Sequence, residues 1–168
     1  MPDEMRRKMQ IRDSKSLIMF FTLAFLVIAL DQVTKYLVST YVALGGAIVI
    51  VPGTFDLIHT RNPGAAFSIG SGFGWIFFVT VTVVALCVIL WIVLSSYGAR
   101  MSLTAAYALF FGGAFGNLID RVRFGEVVDF LDVHWGNLHW PAFNVADSAL
   151  CVAAGLFLLH LLIDKKSP

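Results

Sequence analysis

Four long apolar runs, separated by stretches where polar and turn-forming residues return, set the frame of this chain. The first begins with Leu17–Leu30, continues through Asp31-Gln32-Val33-Thr34-Lys35 and fades near Val38. At about 20 residues it is long enough to cross ~30 Å of hydrocarbon as a helix. The second, 75–94, is apolar throughout and opens on Trp75, a residue that favours the membrane interface. The third, 101–119, is less hydrophobic and rich in small residues, with Gly112, Gly113, Ala114 and Gly116 on hand for close helix packing. The fourth, 142–163, carries Asp147 near its start and ends in Asp164-Lys165-Lys166.

Between the first two runs the pattern changes. Ala47–Val51, Pro52-Gly53, Thr54–Thr60 and Arg61-Asn62-Pro63-Gly64 alternate short β-favouring runs with turn residues, and Ala65–Ile69 predicts a third strand. The segment 122–141 is too polar to span and predicts a loop. The expected architecture is therefore an all-helical membrane protein with four spans, a small extracytoplasmic β-sheet and a polar loop between helices 3 and 4. It is expected to form a single domain over 1–168.

Composition agrees: 58% of residues are hydrophobic and 14% charged, against about 25% charged in soluble domains. Four spans bring both termini to one side. Arg6, Arg7, Lys8, Arg12 and Lys15 in the tail 1–16, Arg100 between spans two and three, and Lys165-Lys166 mark that side as cytoplasmic. The net charge of +1 gives nucleic acid no basic face to bind. Cys87 and Cys151 fall inside apolar runs and predict buried, reduced thiols rather than a disulfide framework.

Candidate chemistry narrows quickly. No HExxH motif is present, and Ser71 sits between glycines without a GxSxG elbow. Asp132, His134 and His139 could hold a metal, but their spacing follows no strong pattern. Carboxylates remain: two held close share a proton, so one can activate water while the other polarises a carbonyl, with no metal or cofactor. Asp129 in VVDF and Asp147 in FNVADS lie at the edges of apolar segments. Asp31, Asp56, Asp120 and Asp132 are also interfacial, so the residues alone leave the pair open. Asp31 and Lys35, four apart, share a helix face and predict a salt bridge turned toward protein. Asp120-Arg121 reads as a local ion pair, Asp132 as solvated, and Asn62-Pro63-Gly64 as a turn. A transporter or lipid-binding protein relaying protons through Asp31, Lys35 and Asp147 is the rival reading.

Five motifs then occur in order: Asp31-Gln32-x-x-Lys35, Asn62-x-Gly64-Ala65-Ala66-Phe67, Gly112-Gly113-Ala114-x-Gly116-Asn117-x-x-Asp120-Arg121, Val127-Val128-Asp129-Phe130 and Pro141-Ala142-Phe143-Asn144-x-Ala146-Asp147-Ser148. Together they resemble the bacterial lipoprotein signal peptidases, or signal peptidase II, from helix 1 to helix 4. The resemblance implies an inner-membrane aspartic endopeptidase whose site lies near the extracytoplasmic surface. Its substrates would be diacylglyceryl-modified prolipoproteins, met within membrane lipid and cut on the amino side of the lipidated cysteine. It implies Asp129 and Asp147 as the catalytic pair. Asn62, Gly64, Asn117, Arg121 and Asn144 would line the site, with Asp31 and Lys35 in support. Inhibition by the cyclic peptide globomycin is implied as well.

Overall fold

The computed structural model describes residues 3–64, 74–95 and 101–164. The predicted strand at Ala65–Ile69, together with Ser71, Arg100 and Lys165-Lys166, lies outside them. The elements run α1 (Asp3–Tyr41), β1 (Ala47–Val51), β2 (Phe55–Asn62), α2 (Trp75–Ser95), α3 (Met101–Phe124), β3 (Val127–Trp135), β4 (Leu138–His139) and α4 (Val145–Asp164). All four helices contain a stretch long and apolar enough to cross a membrane. Large side chains such as Phe25, Trp91 and Leu158 face outward, as they do where the surrounding medium is lipid rather than water. Cys87 and Cys151 belong to this outer surface. The prediction that both are buried fails because a helix apolar all round need not turn its thiol inward when hydrocarbon lies on both sides.

The helices meet through small residues. A Cβ on Gly112 would come within 2.8 Å of Val27 and 2.9 Å of the Ala24 carbonyl on α1, and one on Gly113 within 2.5 Å of the Ala146 carbonyl on α4. The glycines therefore let α3 approach both neighbours at backbone distance. Farther down, Phe20, Ile89 and Ala108 bring α1, α2 and α3 together in an apolar core.

The segment 122–141 is not a loop. Helix α3 runs past the predicted end to Phe124, where Gly125, at φ 78°, donates its N–H to the Arg121 carbonyl and closes the helix. The chain then forms β3, whose run of β-branched and aromatic residues favours a pleated strand. It pairs antiparallel with β2, giving one ladder in the order β1-β2-β3-β4 although two helices separate β2 from β3 in sequence. Pro52 and Gly53 (φ 79°) make the β1–β2 turn. Phe130 anchors the sheet against Val38 and Val42 at the end of α1. Helix α1 begins at Asp3, so it extends back through most of the polar tail, while its membrane-crossing stretch starts at Ser14.

Candidate active site

Two linked polar clusters form where α1, α3, β3 and the start of α4 converge. The first is built on Lys35, only 3% exposed, whose Nζ lies 2.9 Å from Asp31 Oδ2, 2.9 Å from Asp120 Oδ2 and 2.9 Å from Asn117 Oδ1. Three N–H donors thus meet three acceptors. The remaining oxygens are also engaged. Asp31 Oδ1 accepts from the Ala146 N–H at the start of α4 (2.9 Å), an orphan donor at the positive end of the helix. Asp120 Oδ1 accepts from Gln32 Nε2 (3.0 Å), and its Oδ2 from the Val128 N–H (3.0 Å). Gly116 makes room for this, because a Cβ there would stand 2.6 Å from Asp31 Oδ2. The Asp31–Lys35 bridge expected from sequence is present. Asp120 differs from expectation: it is bound to Lys35, Gln32 and the entry of β3, since a buried carboxylate gains more from a cation two helices away than from a neighbour pointing elsewhere.

Asn117 joins this cluster to the second. Its Oδ1 accepts from Lys35, which orients its Nδ2 toward Asp147 Oδ1 at 2.9 Å. Asp147 sits in the first turn of α4, where it and Asn144 cap the helix reciprocally. The Asp147 N–H donates to Asn144 Oδ1 (2.9 Å), and the Asn144 N–H donates to Asp147 Oδ2 (3.2 Å). Asn144 Nδ2 then reaches Asp129 Oδ1 at 2.8 Å, with Asn117 Oδ1 and the Val128 carbonyl each at 3.2 Å. Asn144 is fully buried.

Asp129 is brought in by β3. Thr60 on β2 is its direct partner, and Asn62, two residues along on the same face, donates Nδ2 to Asp129 Oδ2 at 3.1 Å. The Asn62 Oδ1 accepts from the Gly64 N–H (3.0 Å), and Arg121 Nη2 donates to the Gly64 carbonyl (2.8 Å). Only 2% of Asp129 is exposed. Burial, and then the nearby charge of Asp147, push its pKa from the usual carboxylate value up to about 6, against the lowering pull of the Asn62 and Asn144 hydrogen bonds and of Lys35.

Asp129 and Asp147 line one cavity of about 540 Å³. Asn62, Asn117 and Arg121 share its polar wall, while Trp140, Phe143 and Leu150 are among its apolar lining. Of the residues that the sequence singled out, Asn62, Asn117 and Asn144 hydrogen-bond one of the two acids directly, Arg121 lines the same cavity, Gly64 and Lys35 stand one hydrogen bond further out, and Asp31 is bound to Lys35. Sequence reasoning missed the capping role of Asn144, although Asn-x-x-Asp before an apolar run carries that signal. It also misjudged Asp132, which is buried and lies 2.9 Å from His139 Nδ1.

Fold and site together define a multi-pass membrane protein with two carboxylates facing a common apolar-walled cavity. Comparison with known proteins makes this specific. The chain matches the model of the family described as signal peptidase (SPase) II over residues 23–163, and it belongs to that family. It is 50% identical over 139 residues to the lipoprotein signal peptidase of Syntrophotalea carbinolica, covering 82% of this chain and 86% of that one. It is 46% identical over 141 residues to the lipoprotein signal peptidase of Geobacter sulfurreducens, covering 83% and 88%. Among solved structures, a bacterial membrane enzyme superposes with a TM-score of 0.80 at 36% identity, over 88% of this chain and 89% of its own.

Proposed function

We propose that this peptidase is of the aspartic type and that it cuts diacylglyceryl-modified prolipoproteins on the amino side of the lipidated cysteine, with Asp129 and Asp147 as its acid–base pair. The observation carrying this is that the two carboxylates line one cavity and are held by Asn117 and Asn144 rather than by a cation. A carboxyl near pKa 6 can exchange its proton close to neutral pH, as general acid–base work requires. In the reaction, one ionised carboxylate takes a proton from water as its oxygen attacks the scissile carbonyl carbon. The protonated partner hydrogen-bonds the carbonyl oxygen as charge develops. The proton taken from water then passes to the departing cysteine nitrogen as the C–N bond breaks. The titration belongs to the pair.

Asn62 and Arg121, joined through Gly64, supply the polar side of the cavity for a peptide, and the apolar wall suits the diacylglyceryl chains within membrane lipid. The protein would sit in the bacterial inner membrane with both termini cytoplasmic and the site near the outer surface. A relay through the spans would need charged groups along their depth. Among the described residues the buried ones, Asp31, Lys35, Asp120, Asp129 and Asp132, gather around the sheet and the start of α4 instead. The test is incubation of purified protein with a diacylglyceryl-modified precursor, with and without globomycin. Globomycin-sensitive release of the signal peptide is expected, and equal cleavage of an unlipidated precursor would overturn the substrate assignment.

A further inference from the structure

A second group of ligand-bearing side chains lies at the other end of the β2–β3 ladder from Asn62 and Val127, and hydrolysis at the acid pair has no use for it. Asp56 and Asp132 are direct partners across the two strands, so two carboxylates share one face, an arrangement that destabilises a sheet unless something positive stands between them. His134, two residues beyond Asp132, projects from the same face. Its side chain is only 9% exposed.

The hydrogen bonding of His134 leaves a specific deficit. Its Nδ1 is 3.2 Å from the Gly136 carbonyl, which can only accept, so Nδ1 carries the hydrogen. In the neutral ring Nε2 is then a bare acceptor. It faces Asp56 Oδ2 at 3.4 Å, and both Nε2 and Asp56 Oδ1 are buried without a hydrogen-bond partner. Acceptors aimed at one another call for a cation. One ligand atom from each of Asp56, Asp132 and His134 falls within 4.8 Å of the others. Around a tetrahedral Zn²⁺ with bonds of about 2.0–2.2 Å, neighbouring ligand atoms stand roughly 3.4 Å apart, the separation already present between His134 and Asp56. His139 completes the surroundings. Its ring stacks on that of His134 with centroids 4.7 Å apart, and its Nδ1 lies 3.0 and 2.9 Å from the two oxygens of Asp132. A histidine donating to a ligand carboxylate in this way fixes the orientation of that ligand.

We propose that Asp56, Asp132 and His134 form a divalent-cation site that clamps β2 to β3, with His139 positioning Asp132. The mixed imidazole and carboxylate donors suit Zn²⁺ rather than Mg²⁺ or Ca²⁺, which prefer oxygen alone. The site stands apart from Asp129 and Asp147 and supplies no step of peptide hydrolysis.

The test uses the full chain in detergent, stripped with a chelator and titrated with Zn²⁺ alone by calorimetry. Thermal unfolding is followed in parallel with and without Zn²⁺ or Mg²⁺, and visible absorption after adding Co²⁺ reports the ligand geometry. One equivalent of Zn²⁺ is expected to saturate the protein and raise its unfolding temperature, with Mg²⁺ ineffective. Asp56→Asn and His134→Ala should each weaken binding by roughly tenfold or more and lose the thermal shift, whereas Asp129→Asn should bind Zn²⁺ as the unaltered chain does. Absence of saturable Zn²⁺ binding by the unaltered chain would overturn the proposal and leave a proton on His134 as the positive centre. Undiminished binding by the Asp56 and His134 variants, or its loss in Asp129→Asn, would overturn it equally.

Discussion

The Lys35 cluster and the Asp129–Asp147 pair are built from the same materials and share Asn117, yet they are opposite in electrostatic character. Asp31 and Asp120 meet an ammonium group that spends every donor it has on the cluster. Asp129 and Asp147 meet amide groups, a helix start and the guanidinium of Arg121 across a cavity. A carboxylate bound to a buried cation on another helix serves as a joint between the two. A carboxylate held by neutral amides keeps its geometry while its proton remains exchangeable. Burial alone does not separate the two groups, since Asp31 is even less exposed than Asp129. The partner decides.

The sharpest way to break this contrast is to neutralise each group in turn. Asp129→Asn and Asp147→Asn should each lower turnover of a lipidated precursor by roughly 10³-fold or more, with the protein still folded in detergent. Near-normal turnover by either would remove the acid pair from the mechanism. Lys35→Met should instead destabilise the fold by about 3–5 kcal/mol, because it strands two buried carboxylates. Adding Asp31→Asn and Asp120→Asn should restore most of that loss in thermal unfolding. If Lys35→Met unfolds at the same temperature as the unaltered chain, the cluster is no joint.

The next effect is one of pH, and it belongs to Asp129. The Asp129 pKa is raised to about 6 in the folded chain, so between roughly pH 4 and 6 the folded state holds a proton that the unfolded state has released. Stability therefore falls as pH rises through that window, by on the order of 3 kcal/mol once the group is fully charged. Asp129→Asn abolishes this loss, so its stability relative to the unaltered chain should climb from pH 4 to pH 7 and then level off. Parallel curves would contradict the pKa. The smallest effect belongs to Asn62→Ala. Removing a hydrogen bond that lowers the Asp129 pKa should shift the acidic limb of the kcat/KM profile upward by about one unit or less, and an unmoved limb would count against Asn62 as a positioning residue.

What could be read without coordinates follows from how local each signal is. The spans were legible because hydrocarbon demands long uncharged runs, and the Asp31–Lys35 bridge because both residues lie on one helix turn. Asp120 and Asp132 were misread for the converse reason. Their partners, Lys35 and Gln32 for one and the histidine of a short strand for the other, become visible only once the chain has folded. The segment around Val127–Trp135 reads as loop because its charges mask a strand whose partner, β2, lies on the far side of two helices. Asp129 and Asp147 were within reach individually as acids beside apolar runs, but pairing them took the ordered motifs.

Asn144 offers an experimental opportunity. Its side-chain nitrogen touches one acid, while its backbone nitrogen and side-chain oxygen touch the segment bearing the other. A single isotopically labelled asparagine at this position would give two nitrogen resonances, each neighbouring a different carboxyl group. Followed across pH, that one residue could report in which order the two protons leave.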